Sequence, residues 1–158
     1  MNQENVAIHP KVFEMIIANQ SHELLSPEIQ MMRSIEQGVY TAVTPSLTHT
    51  LLLTPFIQDQ PGKAQQLTLL LNHYPNLSMI SIDDEAAQFM AFYQARYAAN
   101  HLDLWDTSTL AIAKISKVDK VYFPSLSNGN KNEIESFKMA EIEDYFEERK
   151  KRNNKEEV

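Results

Sequence analysis

The sequence predicts an α/β fold: a three-layer α/β/α sandwich around a central parallel sheet of four or five strands. Three observations lead there. Short β-rich apolar runs alternate with longer stretches of helical period, the pattern of parallel strands covered by helices. A chain of 158 residues suits one domain, and 43% hydrophobic content is enough for a core. No internal repeat and no linker divides the chain.

The elements follow in order. Val6-Ala7-Ile8 is the first strand, ended by His9-Pro10. Proline has no N–H to leave unpaired in the first turn of a helix, so residues 11–20 read as that helix. The second helix starts with Ser26 as N-cap and Pro27 at the first helical position, Glu28 complements its dipole, and Gly38 closes it. Residues 39–44 are β-rich and bounded by Gly38 and Pro45, which makes them the second strand. Ser46 caps a helix reaching about Pro55. After the QDQPG turn, residues 63–74 are helical, with Ala64, Leu67, Leu70, Leu71 and Tyr74 on one face. Residues 77–82 form the third strand, and Asp83 starts a long helix burying Ala86, Met90, Tyr93 and Tyr97.

Asp106 stands at the start of the apolar, alanine-rich helix LWDTSTLAIAK, and residues 118–123 are the fourth strand. SLSNGNKN is a loop, and residues 134–138 are a short fifth strand. The domain proper spans residues 1–140. Residues 141–158 add a charged helix, with Ile142, Tyr145 and Phe146 on its apolar side, and a polar tail that frays after about Lys151.

Composition narrows the function classes. Without cysteine there is no disulfide framework, thiolate metal site or thiol nucleophile. A net charge of −7 argues against a large phosphate-gripping surface, so RNA is a disfavoured partner. The glycines, at 38, 62 and 129, build no phosphate-cradling loop after a strand, which disfavours a nucleotide- or flavin-binding protein. The first residues lack the features of a signal peptide, and no apolar run reaches the ~20 residues of a membrane helix. The expectation is a soluble, cytoplasmic domain with no membrane partner.

Taken together, residues 5–124 resemble a PIN domain, the nuclease fold shared by VapC-type toxins and ribosomal-RNA processing enzymes. The resemblance lies in the order and spacing of His9-Pro10-Lys11, SLTHTLLLTPF, ISIDDEAAQFMAFYQARY, the Asp106 helix and Val121-Tyr122-Phe123-Pro124-Ser125. It implies four clustered acids holding Mg²⁺ or Mn²⁺ for attack of water on a phosphodiester. Asp106 matches one of those positions; the others read His9, Thr50 and Ser125. Neutral histidine and threonine replace hard oxygen ligands poorly, and one carboxylate holds a hydrated ion only weakly. The resemblance therefore implies a degenerate member that needs no cofactor, or one using Mg or Mn if the site still works.

Other residues carry alternatives. Asp106 as a helix cap is favoured over Asp106 as a metal ligand. Asp103 would offer a second oxygen ligand, with a solvated loop residue as the plainer reading. His9 ends a strand at the carboxyl edge, where α/β folds place ligands, and a hydrogen bond to nearby backbone explains it more simply. A site made of His9, His49 and Asp106 is disfavoured, since His49 lies about 100° around its helix from Thr50. Asp83, Asp84 and Glu85 complement a helix dipole. Trp105 packs, and the run Arg149-Lys150-Lys151-Arg152 is a solvated helix end.

Two functions compete. One is a binding module that has lost nuclease activity and docks a protein partner or dimerises; residues around Phe13, Met31 and Met32 would offer contacts, with core packing as the plainer reading there. The other is an active toxin-type ribonuclease with relocated ligands such as Asp103 or Glu14, or with an acid such as Glu133 supplied by the loop.

Overall fold

The computed structural model describes residues 3–18, 27–124 and 134–156. Its elements are β1 (Glu4–Ile8), α1 (Pro10–Ala18), α2 (Pro27–Glu36), β2 (Tyr40–Pro45), α3 (Leu47–Ile57), α4 (Pro61–His73) and β3 (Leu77–Ile80). Then come α5 (Asp84–Arg96), a 3-10 turn (Ala98–Asn100), α6 (Leu104–Ser116), β4 (Lys120–Pro124), β5 (Ile134–Lys138) and α7 (Met139–Glu156). The expected Ser26 cap, the loop 125–132, Ser125 and Glu133 lie outside the described residues.

The five strands lie in the order β3-β2-β1-β4-β5. β1 runs parallel to both β2 and β4, and β2 parallel to β3. The α/β class and layered plan expected from the sequence are those observed, with one refinement: β5 is antiparallel to β4. β4 ends at Pro124 and β5 begins at Ile134, closer than the roughly 12 residues a parallel crossover requires.

Alternation along β1 separates two cores. Val6 and Ile8 face one side, with Val12, Phe13, Met31, Ile35, Leu52 and Leu71 from the α1–α4 layer. Ala7 faces the other, with Tyr93, Tyr97, Leu110 and Ile112 of the α5–α6 side and Ile142 and Phe146 of α7. A sheet buried on both faces needs near-continuous apolar strands, as the run VAI in β1 supplies. Phe13 and Met31 are core, the plainer of their two readings, because α1 and α2 lay their apolar faces on the sheet.

Helix limits differ from expectation where local chemistry is stronger than periodicity. α4 opens at Pro61, two residues early, since proline is preorganised for that position. α7 continues to Glu156 rather than fraying after Lys151. Its acids precede bases by four residues, Glu147 to Lys151 and Glu148 to Arg152, a spacing that supports a polar helix.

Gly38 links α2 to β2 with φ of +78°, a left-handed conformation that costs a Cβ-bearing residue. A Cβ there would also meet Gln3 Nε2 at 3.3 Å. Gly38→Ala is expected to destabilise the protein by about 1–2 kcal/mol in urea unfolding, against the stabilisation usual for this change at negative φ.

Candidate functional site

The strand order reverses beside β1: the chain moves outward to β2 and β3, then returns to β4 on the opposite side. Open α/β sheets bind ligands at the carboxyl ends flanking such a point. His9 sits there, one residue past β1, with its backbone N–H bonded to Tyr122 O on β4 at 3.0 Å. Its ring is fully buried and packs against Phe123, the centroids 5.3 Å apart.

α6 brings the carboxylates to the same place. Asp103, in extended backbone, is its N-cap, and Asp106 is the third helical residue. Their bonds are reciprocal: Asp106 N–H donates to Asp103 Oδ1 at 2.8 Å, and Asp103 N–H to Asp106 Oδ2 at 3.0 Å. This capping box corrects the expectation that Asp106 itself is the N-cap, and it makes Asp103 a structural residue and not a loose loop acid. The helix starts at Leu104 because Asp103 satisfies the donor three residues on.

The histidine tautomer follows from its neighbours. Lys11 N–H donates to His9 Nδ1 at 3.1 Å, so Nδ1 carries a lone pair and no proton. Nε2 therefore bears the hydrogen and donates it to Asp106 Oδ1 at 2.7 Å. Burial alone would push the Asp106 carboxyl up. The hydrogen bonds from His9 and Asp103 outweigh it and hold the group below its ordinary value. Lys11 also extends its ammonium to Asp103 Oδ2 at 3.2 Å, a half-exposed ion pair.

His9, Asp103 and Asp106 each offer one ligand atom, all within 4.8 Å of one another. The set fits poorly the Mg²⁺ or Mn²⁺ that the resemblance implies. His9 has no uncommitted lone pair, since that of Nδ1 accepts the Lys11 amide and Nε2 carries a proton. Freeing either nitrogen would leave a buried donor unpaired. Each carboxylate oxygen already accepts a hydrogen bond or ion pair, and the Lys11 ammonium supplies positive charge beside Asp103. Hard divalent cations need several oxygen ligands in near-octahedral array; among the described residues the group holds two acids.

The other expected site residues are scattered. Thr50 is exposed on α3, while the buried threonine of that helix is Thr48. Thr48 pairs with Thr44 Oγ1 at 2.7 Å, and Thr44 donates to Ile8 O at 2.8 Å, securing the end of β1 just before His9. His49 is half-buried and stands outside the three-residue group, and Glu14 is exposed. Trp105 is half-buried, its carbonyl taking the Ser108 and Thr109 hydroxyls. Asp83 caps α5 by accepting from Ala86 N–H at 2.9 Å, with Asp84 and Glu85 in the first turn, as the dipole reading expected. Of the basic run, Lys151 and Arg152 are exposed on α7.

Lys11 is the participant that sequence reading missed. Its signal was available: a cation in the first turn of a helix opposes the dipole and calls for a local anion.

Compared with known proteins, the chain matches no family model and no curated protein.

Proposed function

We propose that this protein is a PIN-like, cytoplasmic domain that acts as an interaction module, having lost ordinary metal-dependent ribonuclease chemistry. The observation that carries the reading is the hydrogen bonding of His9, which leaves neither ring nitrogen free to bind a metal. The Lys11 ammonium beside Asp103 supports it, since it brings positive charge to the carboxylates from within the chain. The partner is a protein or a second copy. An apolar groove of about 300 Å³ between α1, α2 and α4, lined by Ile16, Met32 and Leu70, offers one surface for contact. A net charge of −7 weighs against RNA. No helix among the described residues is long and apolar enough to cross a membrane.

The competing reading is an active Mg- or Mn-dependent ribonuclease of the VapC toxin type. The close approach of His9, Asp103 and Asp106 favours it, but the hydrogen bonds around all three would have to rearrange.

Calorimetric titration of Mn²⁺ into the wild type and Asp106→Ala separates the two. The proposal expects no saturable binding tighter than about 1 mM in either protein, and no Mn²⁺-dependent cleavage of RNA. Stoichiometric binding and cleavage in the wild type, both lost in Asp106→Ala, would establish the nuclease.

A further inference from the structure

We infer that α5 pairs antiparallel with α5 of a second copy of this chain, across a two-fold axis passing beside Met90 and Ala91. The inference rests on the reading of the protein as an interaction module and names the partner.

Between α5, α6 and α7 lies a cavity of about 500 Å³. α5 contributes Glu85, Gln88, Phe89, Phe92, Tyr93 and Arg96 to its wall. Any stripe of helical spacing is symmetric about its centre; the chemistry of this one is what makes it self-complementary. An acid stands at one end, a guanidinium at the other, and two phenylalanines lie equally far from the middle. Reversing the helix direction puts Glu85 level with the partner's Arg96, and Phe92 level with the partner's Phe89. The two-fold axis repeats both contacts.

The side chains are available for this pairing. Phe92 is 50% exposed, a large apolar ring left in water beside an aromatic-floored cavity. Inserted into the partner's cavity, it would lie over Phe89 and Tyr93, and the partner's Phe92 would do the same in return. Arg96 is held in place by Glu147 Oε1 at 3.4 Å and by the face of Phe92, its Cζ 5.8 Å from the ring centroid. Its Nε faces Glu147, and a guanidinium has five N–H donors, so Arg96 can also take a carboxylate from outside. Glu85 is exposed and makes no ion pair among the described residues. Antiparallel helices also set opposite dipole ends side by side.

The stripe spans about 16 Å. An interface of that length falls short of the roughly 800 Å² per partner of a standard complex, so the dimer is weak and concentration-dependent.

Sedimentation velocity over about 1–500 µM tests the pairing. The wild type is expected to pass from monomer to dimer. Phe92→Ser, at an exposed position, is expected to raise the dissociation constant about tenfold or more. Glu85→Arg and Arg96→Glu each set like charges opposite one another and are expected to remain monomeric. Mixing these two variants restores both ion pairs and gives a heterodimer, as the double swap E85R/R96E gives a homodimer. A wild type that stays monomeric throughout overturns the inference. So does a dimer indifferent to Phe92→Ser and to the charge swaps, which would place self-association on another surface. Neither result bears on metal binding, so the loss of nuclease chemistry stands or falls separately on the Mn²⁺ titration.

Discussion

Replacing Asp106 by alanine is expected to lower stability by about 3 kcal/mol and the melting temperature by roughly 6–12 °C. The change removes the acceptor of His9 Nε2–H, and His9 is fully buried with no route to water. It also removes the acceptor of the Asp103 N–H and so half of the capping box on α6. Seven consecutive residues of that helix, Thr107 to Ala113, are buried, and Leu110, Ile112 and Ala113 enter the core shared with α5 and α7, so a loss at its first turn is felt there. Asp106→Asn keeps an oxygen for one of the two donors and is expected to cost about half as much. Differential scanning calorimetry of the three proteins at neutral pH checks the order. Equal melting temperatures for wild type and Asp106→Ala would mean that the His9–Asp106 bond contributes nothing to folding.

The same carboxylate sets a pH dependence. Its folded-state value lies below the ordinary 3.8, so ionised Asp106 stabilises the native state. That contribution is complete above the unfolded value and disappears as pH falls through the lower, folded one. Wild-type stability is thus expected to decline as pH drops below about 4, and Asp106→Asn to decline less over the same interval. Parallel curves for the two proteins would remove Asp106 as a source of the acid sensitivity.

Phe146→Ala is expected to destabilise the protein by roughly 4 kcal/mol and to lower the melting temperature by about 8–16 °C. Phe146 is 1% exposed and packs against Tyr97 with the rings tilted and their centroids 5.1 Å apart, in the core that Ile142 also enters. These two side chains are the only fully buried ones among the described residues of α7. Removing residues 152–158 is expected to change stability by less than about 0.5 kcal/mol, because the exposed Arg152 and Lys155 touch no core. Denaturant unfolding of both variants measures the contrast. A large loss on truncation would show that the polar end of α7 holds the helix in place.

Much of this architecture is local and therefore legible in the chain. Gly38 closes α2 and Asp83 caps α5, each through the conformational limits of one residue or the reach of one side chain. The apolar runs of β1, β2 and β4 read as buried strands because a sheet covered on both faces tolerates few polar side chains. Asp106 could be singled out from its position alone. Its role could not, since the decisive partners, His9 and Lys11, lie 97 and 92 residues from the acids they meet.

Helical phase explains another difference. Thr50 and Thr48 differ by two positions, enough to turn one to solvent and the other onto the end of β1. By itself, then, the sequence determined the alternation of strands and helices and many of the caps and turns. Only the tertiary structure decided that β5 runs antiparallel, that α7 closes one core, and that a histidine and a lysine meet the remaining carboxylates. Those outcomes depend on which distant segments the strand order brings together at one edge of the sheet, and nothing in the local chemistry of either segment specifies the other.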